Sequence, residues 1–148
     1  MPISVFIENA AGACDKNLYD EKTLQFLRAV DVACPYPYPY GFVIDTVSGD
    51  GDNLDCYVIT AKALRLGQTV ECVVLGMMEQ IEDEREDHKI LAALEGEDAR
   101  ITAEVKQTLV DFSQRVFADI AGKQLTVGGV HGARAAIDLI RRCRNRTP

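Results

Sequence analysis

The chain has 148 residues, 47% of them apolar and 26% charged. That is one domain's length with the balance of a soluble globular protein, which excludes disorder, a collagen repeat and a membrane-spanning helix. Sixteen basic against 23 acidic side chains leave a net charge of −7, which speaks against a sequence-independent grip on nucleic acid and suits a cation site.

Taken in chain order, residues 3–8 read as a strand and residues 21–30 as a strand or a short irregular arm. Residues 42–47 and 54–60 are β-branched and aromatic runs flanking a tight loop, Ser48-Gly49-Asp50-Gly51-Asp52-Asn53. Residues 69–81 form a long apolar strand bent at Gly76, and residues 88–94 another. The period then changes. Ile101, Val105, Leu109, Phe112, Val116 and Ile120 fall on one helical face, with Gly122 placed as its C-terminal cap. A short strand, 124–127, precedes a second helix over 133–144, with Ala136, Leu139, Ile140 and Cys143 on one side. Its last turn carries Arg141, Arg142 and Arg144, favourable beside the negative end of the helix dipole. Strands first and helices last predict an α+β, mainly β domain. The simplest form is a small five-stranded antiparallel barrel with two C-terminal helices packed outside, spanning residues 1–148 as one unit.

Cys14, Cys34, Cys56, Cys72 and Cys143 are scattered without a C-x-x-C pair, so neither a zinc knuckle nor a redox dithiol is indicated. Cys56 and Cys72 lie in apolar strands as buried thiols. The expectation is a reduced, cytoplasmic setting with no leader segment. His88 and His131 are too far apart in sequence to suggest a histidine metal site.

Asp50, Asp52 and Asp55 carry the most information. Two unit charges ~5 Å apart repel by roughly 3 kcal/mol at an effective dielectric near 20, so such a cluster calls for an open loop or a hard cation. An EF-hand is excluded, because Leu54 stands at its fifth position, Asp55 at its glycine and Ala61 at its final glutamate. Strand alternation aims Asp55, Tyr57 and Ile59 at one face and Leu54, Cys56 and Val58 at the other. A second acidic run, residues 82–87, precedes Lys89 and complements the first as a site for several magnesium ions.

These residues carry a resemblance. Asp50-Gly51-Asp52-Asn53-Leu54-Asp55 resembles the D-G-D-P-[apolar]-D signature of the family I soluble inorganic pyrophosphatases. Tyr36-Pro37-Tyr38-Pro39-Tyr40-Gly41-Phe42 is similar to that family's Y-P-x-N-Y-G-[aromatic] segment, and Glu86-Asp87-His88-Lys89 to its E-D-x-K segment. Glu8, Lys16 and Arg28 fall at the spacings of a metal-ligand glutamate and two phosphate ligands. The resemblance implies an oligonucleotide-binding-like barrel and hydrolysis of inorganic diphosphate to two orthophosphates. It implies several Mg²⁺ ions, with Mn²⁺ or other divalent ions as substitutes, held by Asp50, Asp55, Asp87, Glu82 and Glu8. Asp52 would be the general base, and Lys16, Arg28, Tyr40 and Lys89 would bind phosphoryl oxygens. It implies a homo-oligomer, hexameric in bacterial members, with no nucleic-acid or membrane partner.

The chain departs from the family pattern at several places. Glu82 replaces an aspartate and Leu18 a glutamate. Val116-Phe117 stand where the family has a Tyr-Lys pair of phosphate ligands, with Lys123 shortly after as a partial substitute or, by its place, a structural lysine. Pro39 replaces an asparagine, Asn53 a proline, and the segment after Lys89 is about ten residues shorter than the bacterial form, by the resemblance. A charged phosphate contact is worth roughly 1.5–3 kcal/mol. The losses therefore leave two alternatives beside the enzyme: a catalytically impaired metal- and phosphate-binding protein, or a hydrolase of an organic phosphoanhydride.

Overall fold

The computed structural model describes residues 1–49 and 51–144. In chain order the elements are β1 (Pro2–Asn9), β2 (Asp15–Tyr19), β3 (Phe26–Asp31), β4 (Tyr40–Val43), β5 (Leu54–Val58) and β6 (Thr69–Glu82). After these come β7 (Arg85–Glu86), β8 (Lys89–Leu94), α1 (Ala103–Arg115), β9 (Leu125–Gly132) and α2 (Ala133–Arg144). Five strands close on themselves in the order β1-β4-β5-β8-β6, with β6 returning to β1. The expected barrel is present, with one refinement. Four of its pairings are antiparallel, while β5 and β8 run parallel, Cys56 opposite Ile90 and Val58 opposite Ala92. The chain between them makes β6 and β7 before returning, so the pair is a crossover that strand patterning cannot reveal.

Alternation along these strands builds two apolar clusters. Ile3, Val5 and Ile7 of β1, Leu54, Cys56 and Val58 of β5, Val70, Cys72 and Val74 of β6, and Ile90, Ala92 and Leu94 of β8 fill the interior. Ala136, Leu139, Ile140 and Cys143 of α2 are continuous with them. On the opposite face of β5 and β8, Tyr57, Ile59 and Leu91 pack against Val105, Leu109, Phe112 and Val116 of α1. Each fully buried aliphatic side chain contributes about 1.5–3 kcal/mol. Cys56 and Cys72 are buried free thiols, as expected.

Thr102 caps α1 by accepting from the Val105 N–H at 3.1 Å. The C-terminal cap is Val116, not Gly122. The helix stops there because the Val116 carbonyl is taken by the Ala33 N–H at 3.0 Å. Gly122 instead serves a later turn at φ +79, and Ile120, beyond the helix, is 49% exposed.

Two glycines are fixed by close approach. A Cβ on Gly41 would lie 1.7 Å from the Phe6 carbonyl oxygen, and one on Gly76 2.3 Å from that of His131. The first lets β4 press against β1 near the bulge between Ile7 and Asn9. The second sits where β6 bends, at its register shift against β8.

Residues 21–30 prove to be half of a hairpin. β2 and β3 pair as a separate two-stranded arm, Lys16 opposite Val30 and Leu18 opposite Arg28. The turn between them is held by Asp20, whose carboxylate accepts the Lys22 and Thr23 N–H groups at 2.9 Å. Tyr19 packs edge-on against Phe6 at 5.0 Å, laying the arm on the outside of the barrel. No helix among the described residues is long and apolar enough to cross a membrane.

Candidate active site

A cleft of about 1070 Å³ opens between the arm and the barrel, lined by Glu8, Lys16, Tyr40, Asp52, Asp55, Glu82 and Asp87 among others. Seven residues singled out from sequence thus meet at one place. Asp50 lies outside the described residues. Lys89 is behind the wall, and Arg28 does not line the cleft. Its register opposite Leu18, which does, places it on the same face of the arm.

Each position follows from local structure. Asp55 and Tyr57 project from the same face of β5. Tyr40 is buried at the start of β4, opposite Tyr57, and their rings lie 4.9 Å apart. The signature loop is pinned by Thr46, whose hydroxyl donates to the Val43 carbonyl at 2.7 Å and accepts the Leu54 N–H at 2.9 Å. Ser48 N–H donates to the Asp52 carbonyl at 2.7 Å and Gly51 N–H to the Ser48 carbonyl at 3.1 Å, so the loop folds on itself. Glu82 ends β6, and the turn into β7 uses Asp83 and Glu84 at φ +49 and +70. That left-handed pair is what a two-residue hairpin needs, here without glycine to ease it. The Asp87 N–H then bonds the Gln80 carbonyl at 2.8 Å, which returns Asp87 beside β6.

Lys89 ties the acids together. Its ammonium donates to Asp55 Oδ2 at 2.7 Å, Asp87 Oδ2 at 3.0 Å and Tyr40 Oη at 3.0 Å. All three N–H groups are therefore engaged in this arrangement. Burial alone would raise Asp55, but the adjacent Lys89 charge and hydrogen bond override it and hold its carboxyl below the usual range. Asp87 goes the other way: burial and the Asp55 and Glu82 carboxylates push it up. Glu8 is pushed up to about 8 by burial, with Asp55 and Glu21 adding to it. Burial also keeps Tyr40 a neutral hydroxyl, its acidity far below that of a free tyrosine.

This donor set fits a hard divalent cation. Asp55, Asp87, Glu82 and Glu8 offer only oxygen, and Asp87 and Glu8 are raised first by burial and then by neighbouring carboxylates, a setting a cation would relieve. Among the described residues no three of these side chains already close around one point.

Two contributors, Glu21 and Asn17, were not anticipated from the sequence, and a third, Lys123, was singled out there without its partner. Glu21 lines the cleft and its Oε2 accepts the Asn53 N–H at 2.8 Å, clamping the signature loop to the arm. Asn17 donates its backbone N–H to Asn9 Oδ1 at 2.8 Å and its side-chain amide to the Glu8 carbonyl at 3.0 Å, which seats the base of the arm beside Glu8. Lys123 pairs with Glu82 at 2.6 Å. No spacing rule connects Glu21 to Asn53 or Lys123 to Glu82. Only the asparagine pair flanks residues already singled out.

A family model for inorganic pyrophosphatase matches residues 5–148. The inorganic pyrophosphatase of Halalkalibacterium halodurans is 31% identical over 151 residues, 95% of this chain and 92% of its own. That of Methanosarcina acetivorans is 29% identical over 153 residues, covering 97% and 90%. Among solved structures, the Thermus thermophilus inorganic pyrophosphatase is similar with a TM-score of 0.88 at 28% identity, covering 97% of this chain and 89% of its own.

Proposed function

The chain belongs to the inorganic pyrophosphatase family and hydrolyses inorganic diphosphate, and we propose that it does so with magnesium ions held in the cleft and Asp52 as general base. Asp55, Asp87, Glu82, Glu8 and Asp50 are the residues that would hold the ions. Magnesium, when bound, supplies Lewis acidity, polarising phosphoryl oxygens and making water more acidic.

The chain's own groups do the rest. Asp52, on the open side of the loop, takes a proton from the attacking water as its oxygen bonds to one phosphorus. The bridging P–O bond breaks and the leaving orthophosphate carries the electron pair away, so one water and one diphosphate give two orthophosphates. Lys16 on the arm and Arg28 on the same face offset phosphoryl charge as it shifts to the leaving group. Lys89 donates to Tyr40 Oη, so the Tyr40 hydroxyl proton is left to point at another acceptor, a phosphoryl oxygen in the cleft. Lys89 contributes charge first. Bonding phosphate directly requires a cation to take over Asp55 or Asp87.

One observation supports this reading above the rest: carboxylates and an ammonium line the same cleft, Asp52, Asp55, Glu82 and Asp87 with Lys16. A cytoplasmic homo-oligomer, hexameric as in bacterial members of the family, belongs to the same proposal. Phe26 and Leu27, 56% and 62% exposed on β3, give it an apolar surface to cover. The test is phosphate release from diphosphate with Mg²⁺ by the parent and by Asp52→Asn. Release by the parent and its loss in the variant is expected. An equally active variant overturns the role of Asp52.

A further inference from the structure

Phe117 collects positive charge. The Lys123 ammonium lies 4.2 Å from its ring centroid and the Lys16 ammonium 5.3 Å from the same centroid. Both distances are within the reach of a cation–π contact. Lys16, Phe117 and Glu82 line a common recess with Asp87 and Lys89. Lys123 does not line that recess but touches Glu82 and Phe117, which do, and its segment is fixed from outside: Asp83 N–H donates to the Gln124 carbonyl and Gln124 N–H to Asp83 Oδ1, each at 2.9 Å. Its ammonium is 2.6 Å from Glu82 Oε1, both side chains being about a quarter exposed, at 24% and 22%. Glu82 and Asp87 line the same recess.

We propose that Lys123 is a phosphate-binding residue of the cleft, held by Glu82 until a divalent cation takes that carboxylate. The inference rests on the diphosphate-hydrolase reading. Phe117 has no group that can bind a phosphoryl oxygen, and Val116 beside it is apolar and buried, so this end needs its positive charge from elsewhere. A partly exposed ion pair is weak, and exchanging the Glu82 partner from ammonium to cation costs little. The lysine stem is flexible enough to turn. The Phe117 ring holds the Lys123 and Lys16 ammonium groups 4.2 and 5.3 Å from its centroid, and two cations gathered at one ring favour a multiply charged phosphoryl group. Lys123 thus binds a phosphoryl group in the cleft that Lys16 and Glu82 line.

The experiment uses Mg²⁺ with methylenediphosphonate, which cannot be hydrolysed. At saturating Mg²⁺, calorimetry on Lys123→Met is expected to show at least tenfold weaker diphosphonate binding than the parent, and Lys123→Arg within threefold of it. Parent affinity in Lys123→Met overturns the proposal, because a lysine that only neutralises Glu82 has no part in ligand binding once the cation is there. A readout on the unmodified parent stands beside this in case the variant does not fold: lysine acetylation followed by mass spectrometry. Mg²⁺ alone is expected to raise the acetylation rate at Lys123, and added diphosphonate to suppress it. A Lys123 rate indifferent to diphosphonate overturns the proposal. A parent that binds diphosphonate through Lys123 but releases no phosphate from diphosphate breaks the hydrolase reading alone. One that releases phosphate while Lys123→Met keeps parent affinity breaks this inference alone.

Discussion

The two walls of the cleft are built by different means. On the barrel side, Asp55, Asp87, Lys89 and Tyr40 are carried by adjacent strands, and Lys89 is buried at the centre of their hydrogen bonds. On the arm side, Lys16 and Arg28 stand on a two-stranded hairpin whose β3 is exposed along its whole length. That hairpin is fastened by Asn17 to Asn9, by Glu21 to Asn53 and by ring packing of Tyr19 on Phe6. In the proposed mechanism the ion ligands Asp55 and Asp87 belong to the barrel wall and the phosphate ligands Lys16 and Arg28 to the arm, while Asp52 stands on the loop that Glu21 clamps to the arm through Asn53. The departures from the family pattern fall on both sides, Leu18 on the arm, Glu82 at the end of β6 and Phe117 just beyond α1, while Asp52, Asp55 and Asp87 are retained.

The sharpest way to break this contrast is Asp52→Asn. Turnover should fall about 10²–10⁴-fold, the usual worth of general-base catalysis, while Mg²⁺ still raises the melting temperature. Phosphate release and thermal melts check both halves. Next in size is Lys89→Met, which leaves Asp55 and Asp87 without their buried counter-charge. A loss of about 3–5 kcal/mol in urea unfolding is expected. The matching change on the arm, Lys16→Met, should stay within about 0.5 kcal/mol and reduce activity instead. Equal stability losses on the two walls would erase the distinction.

A third outcome concerns pH without metal. Glu8, and Asp87 in the same direction, bind their protons more tightly in the folded state than in the unfolded chain. The stability this gives is fully present below the unfolded carboxyl value near 4 and is lost as pH rises through about 8 at Glu8. The metal-free protein should therefore melt progressively lower between pH 5 and 9, and saturating Mg²⁺ should flatten that slope. A melting temperature that rises with pH in the absence of metal would reverse the assignment. The smallest effect expected is that of Leu18→Glu. It adds a carboxylate on the arm and should tighten Mg²⁺ binding several-fold by calorimetry with little change in melting temperature.

How much of this was legible in the sequence depended on range. The signature from Asp50 to Asp55, the Tyr40-Gly41-Phe42 segment and Asp87 with Lys89 are local, and local spacing on a strand or loop fixes which side chains travel together. The helix α2 was legible because its apolar stripe, Ala136, Leu139, Ile140 and Cys143, is local. β2 was not, since its residues 15–19, Asp-Lys-Asn-Leu-Tyr, carry no clean alternation and gain their strand form from pairing with β3. The overlong reading of α1 failed because the Ala33 to Val116 bond, which ends the helix, joins residues far apart in the chain. Glu21, Lys123 and the engaged state of Lys89 share that cause: each is defined by a partner that only the closed barrel supplies.

The parallel pair β5–β8 has a bearing on the order of folding. Asp55 and Lys89 are separated by 34 positions, and they meet only after β6 has paired with β8 and the crossover has come home. Such a contact is rewarded late, once the chain has met the entropy of closing the intervening loop. A half-built barrel, with its hairpins formed but β8 undocked, holds Asp55 on one piece and Asp87 with Lys89 on another. The affinity for divalent ions is then a property of the last docking event, and it serves as a clock for it.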